Sequence, residues 1–152
     1  MKQYKKVIFV CDSGTSRAPM AEAIMKEYTV KYPLQIESRG LVVLFPEPLN
    51  QKAEAVLISN GINMPEMMSS QLEGEDLSPD NLILTFEAAQ KEKILQDFEE
   101  AVQADVEVLT ELVGDELEIL NPYGGALQAY GLCYETLNKT VQKLVSLLNE
   151  AE

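Results

Sequence analysis

The sequence contains no histidine and no tryptophan, and only two of its 152 residues are cysteines. Ser-His-Asp and Cys-His catalysis both need an imidazole base, so the missing histidine excludes them and most transition-metal sites. Cys11 and Cys133 lie far apart in unlike settings. Neither a disulfide framework nor a zinc cluster is therefore predicted, and reduced thiols suit the cytoplasm.

Long hydrophobic runs are also missing, and the opening residues MKQYKK pass directly into a short apolar segment. The chain shows neither a membrane span nor a signal-peptide pattern, so we expect a cytoplasmic protein that binds no membrane. Its 12 basic and 25 acidic residues give a formal charge of −13. Such a surface repels nucleic acid and anionic lipid. An acidic protein that handles an anion needs a local positive site, and Arg17 is the candidate.

Apolar runs and helical periodicities alternate along the chain, which is typical of βα units with a parallel sheet and helices on both faces. We predict strands at 7–10, 34–38, 81–85 and 106–109, and helices at 18–32, 49–59, 87–98 and 126–149. Residues 64–79 are predicted to be irregular, with a helical turn at 71–76, and residues 121–125 to form a loop. Since no linker divides the sequence, we expect one domain over residues 1–152.

The segment from Cys11 to Arg17 follows the first predicted strand and precedes a helix, where ligands bind in parallel α/β sheets. Its small residues allow backbone N–H groups to converge on an anion at the helix N-terminus. Arg17 can bind two oxygens of that anion, and the same environment stabilises a thiolate. The chemistry indicated is attack of the Cys11 sulfur on phosphorus. The alternative is that Cys11 is only a small core residue, but the surrounding pattern favours the anion-binding loop.

These residues resemble the signature of the low-molecular-weight protein tyrosine phosphatases, in which a strand leads to Cys-x5-Arg-Ser-Pro and a helix beginning Met/Leu-Ala-Glu. The corresponding segment here is CDSGTSRAPMAE, residues 11–22. The likeness extends over nearly the whole chain, through Ser38-Arg39-Gly40, Pro48, Ala53 and Gly61-Ile62 to Asn121-Pro122-Tyr123-Gly124. The resemblance implies a four-stranded parallel sheet and one phosphate-binding loop after the first strand.

The same resemblance implies a phosphatase that acts through a phosphocysteine on Cys11, with Arg17 as the phosphate clamp. The phosphate-binding residues would be those of the loop, namely Asp12, Ser13, Gly14, Thr15, Ser16 and Arg17. Tyr123 would form an aromatic wall for a substrate ring, although a buried core tyrosine is an equally ordinary interpretation. No metal or cofactor is implied, because arginine and amides supply the positive charge. The expected substrates are phosphorylated proteins or small aryl phosphates, and the expected state is a monomer or weak dimer.

The family's general acid is the aspartate of Asp-Pro-aromatic, and this position is Asn121 here. An amide cannot give a proton to a leaving group, and acid catalysis is typically worth about 10²–10⁴-fold. We therefore expect slow turnover. Asp12 and Glu118 are candidates to replace the missing general acid. The more ordinary expectation is that the side chain of Asp12 points into water.

Four further departures concern the loop. Gly14 replaces an asparagine that pins a left-handed turn, and glycine adopts that conformation unaided. Ala18 replaces a serine that donates to the thiolate, which should raise the pKa of Cys11 unless Ser13, Thr15 or Ser16 compensates. Ser16 stands where many members have a second cysteine, so a disulfide across the loop is excluded. Thr15 occurs in a bacterial subgroup that removes phosphate from arginine.

Four other functions remain to be compared with a protein tyrosine phosphatase. The protein could be a protein arginine phosphatase or a catalytically impaired protein that binds phosphoproteins. Thiol-dependent arsenate reductases have a similar loop, but they need extra cysteines after the third strand, and residues 87–104 contain none. Cysteine phosphocarriers of sugar transport lack the clamping arginine. We expect Cys133, within the last helix, to serve packing.

Overall fold

The computed structural model of the chain describes residues 1–64 and 66–151. The strands are β1 (Lys6–Cys11), β2 (Gln35–Gly40), β3 (Asn81–Thr85) and β4 (Asp105–Val108). The α-helices are α1 (Arg17–Met25), α2 (Gln51–Ser59), α3 (Ala88–Asp97), α4 (Leu109–Val113) and α5 (Leu127–Asn149). Short 3₁₀ helices cover Gly74–Asp76 and Glu99–Val102.

The four strands form one parallel sheet, as the resemblance implied, and their order is β2-β1-β3-β4. Cys11 at the end of β1 lies opposite Gly40 at the end of β2, and Val10 lies opposite Thr85 at the end of β3. The carboxyl ends of three neighbouring strands therefore meet at one edge of the sheet. The loop after β1 lies at that edge.

Helices cover both faces of the sheet because the side chains of β1 alternate between two cores. Val7, Phe9 and Cys11 enter the larger core, which α1, α2 and α5 complete. Ile8 and Val10 enter the smaller core on the other face, together with Ile94 of α3 and Ala101 of the second 3₁₀ helix. This arrangement explains why β1 is an uninterrupted apolar run.

The first helix is shorter than predicted, since α1 ends at Met25 and not at Tyr32. The β-branched pair Thr29-Val30 and a proline after Tyr32 disfavour continued helix. Asn149 at the end of α5 instead binds this segment, because its side chain donates to the carbonyl of Thr29 (3.1 Å) and accepts from the N–H of Lys31 (2.8 Å).

The fourth strand was predicted one residue too late, and the helix after it was missed. Strand β4 ends at Val108, opposite Thr85, which is the last residue of β3. Leu109 therefore has no strand to pair with and begins α4 instead. Gly114 ends α4 with φ +84°, a left-handed cap that glycine adopts readily.

The last helix packs an apolar stripe against α1, α2 and α4. The stripe is buried at Tyr130, Leu137, Val141, Leu144 and Leu148, whereas Leu127 at its start is exposed. Among the helices of the described part of the chain, none has both the length and the apolar character that a membrane crossing needs.

Candidate active site

Residues 12–16 form the loop between β1 and α1, and two glycines allow it to pack closely on the end of β2. Gly14 has φ +73°, the left-handed conformation expected from the sequence. A Cβ atom at Gly14 would lie 2.9 Å from the backbone nitrogen of Gly40, and one at Gly40 would lie 2.6 Å from the carbonyl carbon of Ser13. Any larger residue at either position would therefore push the loop away from the sheet.

The Cys11 sulfur lies beneath this loop, with only 3% of the residue exposed. The sulfur accepts a hydrogen bond from the N–H of Ala18 in the first turn of α1, at 3.4 Å. Burial raises the pKa of the thiol above its ordinary value, while the N–H groups of Ala18, Gly14 and Ser16 and the charge of Arg17 lower it. The same donors that stabilise a thiolate are available to the oxygens of an anion above it.

The side chain of Arg17 is fully buried, and residues from two distant segments hold its guanidinium. Its Nη1 donates to the carbonyl of Ile119 at 2.8 Å, and its Nη2 lies 2.6 Å from a carboxylate oxygen of Glu87. The guanidinium also stacks over the ring of Phe86, with 5.6 Å between its central carbon and the ring centroid. These contacts fix the orientation of the clamp before any anion binds.

The residues just after β3 provide this support, and sequence analysis missed them. Glu87 is the N-cap of α3 and forms a capping box with Gln90, so its carboxylate both caps the helix and binds Arg17. The amide of Gln90 accepts from the N–H groups of Phe86 and Glu87 and donates to Asp12 at 3.1 Å. Their position at the end of the neighbouring strand was the signal that could have identified them.

A cavity of about 320 Å³ opens above the sulfur. It brings together most of the predicted site residues. Its lining consists of Cys11, Asp12, Ser13, Thr15, Ser16, Arg17, Glu47, Asn121 and Tyr123. Gly14 shapes the loop without lining the cavity. Glu47 was not predicted, since it belongs to a loop between β2 and α2 that carries no recognisable pattern.

The three loop hydroxyls have different environments. Ser13 and Thr15 pair with each other, with 2.7 Å between their oxygens. Ser16 is buried, and among the described residues its hydroxyl has no hydrogen-bond partner. Since buried polar groups are normally satisfied, the Ser16 hydroxyl is a free donor in the wall of an anion-sized cavity.

Asn121 and Tyr123 form the outer wall of the cavity. The side-chain oxygen of Asn121 accepts the N–H of Tyr123 at 3.1 Å, which shapes the turn around Pro122. Tyr123 is 74% exposed, so it is a surface aromatic at the cavity mouth and not a core residue. Lys52 of α2 donates to the carbonyl of Gly125 at 2.6 Å and ties this loop to α2.

The two carboxylates considered as replacement acids both have protein partners. The side chain of Asp12 is 61% exposed, lies 3.6 Å from Nη2 of Arg17 and accepts from Gln90. Glu118 accepts the N–H of Ala88 at the start of α3, at 2.5 Å, and does not line the cavity. Asp12 is thus held by Arg17 and Gln90, and Glu118 by the start of α3.

Cys133 packs in the larger core beside α1 and not in the cavity lining. Burial raises the pKa of its thiol to about 11, so it stays protonated near neutral pH. Within residues 1–64 and 66–151, no cluster of three or more cysteine or acidic side chains is arranged to hold a metal ion.

Removal of the Asp12 charge should strengthen anion binding, because its carboxylate competes with a dianion for Arg17. We expect Asp12→Asn to lower the inhibition constant of inorganic phosphate about fivefold, the size of an exposed ion-pair effect. The asparagine oxygen can still accept from Gln90, so the loop should keep its shape. Inhibition of p-nitrophenyl phosphate hydrolysis measures the constant, with Asp97→Asn on α3 as a remote control. Unchanged or weaker phosphate binding would show that Asp12 does not compete.

Fold and site together define an α/β protein with a thiol at the base of an anion-binding loop and a buried arginine beside it. The family model for low molecular weight phosphotyrosine protein phosphatases matches residues 6–152. The chain belongs to this family.

Two kinds of relative resemble the chain over almost its full length. The low molecular weight protein-tyrosine-phosphatase PtpB of Staphylococcus aureus is 32% identical over 143 residues, covering 94% of this chain and 99% of PtpB. The YwlE arginine phosphatase of Geobacillus stearothermophilus superposes with a TM-score of 0.87 at 26% identity, covering 95% of this chain and 93% of that one. A Cys-to-Ser mutant of YwlE arginine phosphatase with a phosphorylated active site serine gives a TM-score of 0.86 at 26% identity, covering 95% and 96%.

Proposed function

We propose that the protein is a cysteine-dependent phosphomonoesterase of the protein tyrosine phosphatase type. The observation that carries the proposal is the position of the Cys11 sulfur below the cavity, with the N–H of Ala18 and the guanidinium of Arg17 beside it. A phosphoryl group in the cavity would have its oxygens near these donors and its phosphorus in reach of the thiolate. The phosphorylated active site serine of the YwlE mutant supports the same role for Cys11.

The reaction has two steps. The Cys11 thiolate attacks phosphorus, an S–P bond forms, and the P–O bond to the leaving group breaks. Water then attacks the phosphocysteine, the S–P bond breaks, and inorganic phosphate leaves with the thiolate regenerated. The donors of the loop and Arg17 stabilise the charge on the phosphoryl oxygens in both steps.

The leaving oxygen has no general acid at position 121 to protonate it in this mechanism. Asn121 lines the cavity where the family carries its acid, and it can donate a hydrogen bond but no proton. The leaving group must therefore take its proton from water, and substrates with acidic leaving groups should react fastest. Slow turnover, cytoplasmic substrates and a monomeric or weakly dimeric state are the accompanying expectations.

A second candidate function is that of a protein arginine phosphatase. Thr15, the residue shared with the arginine-specific subgroup, lines the cavity. The YwlE arginine phosphatase also has a similar structure. The cavity also contains two carboxylates, Asp12 and Glu47, which suit a substrate that carries a positive charge.

A pre-steady-state burst tests the principal proposal. Mixing the protein with p-nitrophenyl phosphate should release about one equivalent of p-nitrophenol in a rapid first phase, followed by slow turnover, because the good leaving group needs little acid help. Stopped-flow absorbance measures the burst, and intact-mass analysis of the quenched mixture should show a phosphorylated protein. Phosphate binding without any release of p-nitrophenol would contradict the proposal and favour a phosphate-binding protein without turnover.

A further inference from the structure

The cavity contains a carboxylate that the mechanism above does not use. Of its two acidic side chains, Asp12 is bound to Arg17 and Gln90. The carboxylate of the other, Glu47, has no hydrogen bond or ion pair with any residue the structure describes. Glu47 therefore presents a free negative charge to whatever occupies the cavity.

The backbone of Glu47 is held firmly in this position. Its N–H donates to the Ser69 hydroxyl at 2.9 Å, and its carbonyl accepts the N–H of Ser69 at 2.7 Å. Pro46 and Pro48 flank it and restrict the chain on both sides, and Pro48 pairs with Met68. The carboxylate thus belongs to an anchored segment, although the residue is exposed.

A free carboxylate beside an anion-binding loop weakens the binding of a dianionic substrate by charge repulsion. A substrate that also carries a cation next to its phosphorus avoids this loss. A phosphorylated guanidinium group meets this condition, since its N–H groups can bind a carboxylate in bidentate fashion. Its planar cation can also stack on an aromatic face, and Tyr123 lines the same cavity with its side chain exposed. A phosphotyrosine ring has no donor for Glu47.

The departure of this leaving group can be balanced without a proton from position 121. The Cys11 thiolate forms an S–P bond while the P–N bond breaks, and the guanidinium, already protonated, leaves as a neutral guanidine. This strong base then takes a proton from water. A tyrosine would instead leave as an anionic phenolate. Both leaving groups are basic and gain from a proton donor, so the preference for phosphoarginine rests on the charge of Glu47 and not on position 121.

We propose that Glu47 is a specificity-determining residue that binds the guanidinium of a phosphorylated arginine side chain, opposite the phosphoryl group held by the loop. This inference rests on the proposed phosphatase function and assigns its substrate class. The carboxylate of Glu47 contacts the part of the substrate that carries the cation. The loop and Arg17 contact the part that carries the negative charge.

The test compares kcat/KM for a phosphoarginine peptide and for p-nitrophenyl phosphate in the same enzyme preparations. Glu47→Gln should lower kcat/KM for the phosphoarginine peptide about five- to tenfold, the loss of one partly exposed charge-assisted pair. It should raise kcat/KM for p-nitrophenyl phosphate, because a negative charge beside the bound dianion is removed, so the ratio of the two values shifts. Glu47→Lys should shift the ratio further. Glu54→Gln, an exposed carboxylate on α2, is the matched control and should leave the ratio as it is.

The possible results separate this inference from the function on which it rests. Equal changes for both substrates, or no change for either, would overturn the role of Glu47. A wild-type protein that shows the burst with p-nitrophenyl phosphate but does not cleave the phosphoarginine peptide would overturn the substrate class and leave the phosphatase function intact. The absence of the burst itself would overturn the proposed function.

Discussion

Replacement of Cys11 by serine is expected to lower the steady-state hydrolysis of p-nitrophenyl phosphate at least about 10⁴-fold, as removal of a covalent nucleophile does in other enzymes. The cause is the loss of the thiolate, since a serine hydroxyl beside the N–H of Ala18 has no histidine or other base to activate it. The fold should survive because serine is smaller than cysteine and the loop N–H groups remain as donors. Colorimetric assay under multiple-turnover conditions measures the loss.

The number of turnovers is the decisive quantity in this experiment. A serine variant can accept at most one phosphoryl group, because the phosphoserine ester would not break down at a useful rate. Cys133→Ala is the control: it removes the other thiol, outside the cavity lining, and should retain the burst and the turnover. Continued turnover by Cys11→Ser well beyond one equivalent would exclude the phosphocysteine mechanism.

The fold could be predicted to a large extent because strands and helices produce local patterns of apolar residues in the sequence. The uninterrupted apolar run of β1 and the fully buried β3 both indicate strands covered on two faces, and the structure has them there. The end of α1 could not be predicted as well. Residues 26–32 have helix-compatible periodicity, but Asn149, more than a hundred residues further on, holds part of this segment as a loop.

From local pattern alone, the site was predictable where its residues are adjacent in sequence, whereas Asn121 and Tyr123 were predicted through the family resemblance. Cys11, Gly14 and Arg17 lie in one loop, and the left-handed conformation of Gly14 follows from glycine in a tight turn. The partners of Arg17 come from other elements, with the Ile119 carbonyl 102 positions away. Such contacts leave no periodicity or spacing in the sequence.

The residue proposed to determine substrate specificity, Glu47, could not be predicted from the sequence for the same reason. Its segment, residues 41–48, contains no pattern that places it near Cys11, and only the pairing with Ser69 and the cavity lining do so. The sequence therefore predicts the reaction better than the substrate. The anion-binding loop is continuous, whereas the residues that face the leaving group come from separate loops.

Conversion of Asn121 to aspartate should raise turnover most for substrates with poor leaving groups. The added carboxyl group can give the departing phenolate a proton and later take one from water, and such catalysis is worth about 10²–10⁴-fold. We expect a gain of about 10²-fold in kcat for phosphotyrosine, with a much smaller gain in the burst rate for p-nitrophenyl phosphate. The aspartate can accept the N–H of Tyr123 as Asn121 does, so the loop should keep its turn.

The substrate dependence of this gain distinguishes restored acid catalysis from a general effect of negative charge. Gln128→Glu adds the same charge in the first turn of α5, outside the cavity lining, and should leave all rates nearly unchanged. With phosphoarginine the gain from Asn121→Asp should also be large, since guanidine is a stronger base than phenolate and gains from a proton as it departs. Equal rates for wild type and Asn121→Asp on phosphotyrosine would mean that position 121 does not face the leaving oxygen. In that case the slow step is set elsewhere in the cavity.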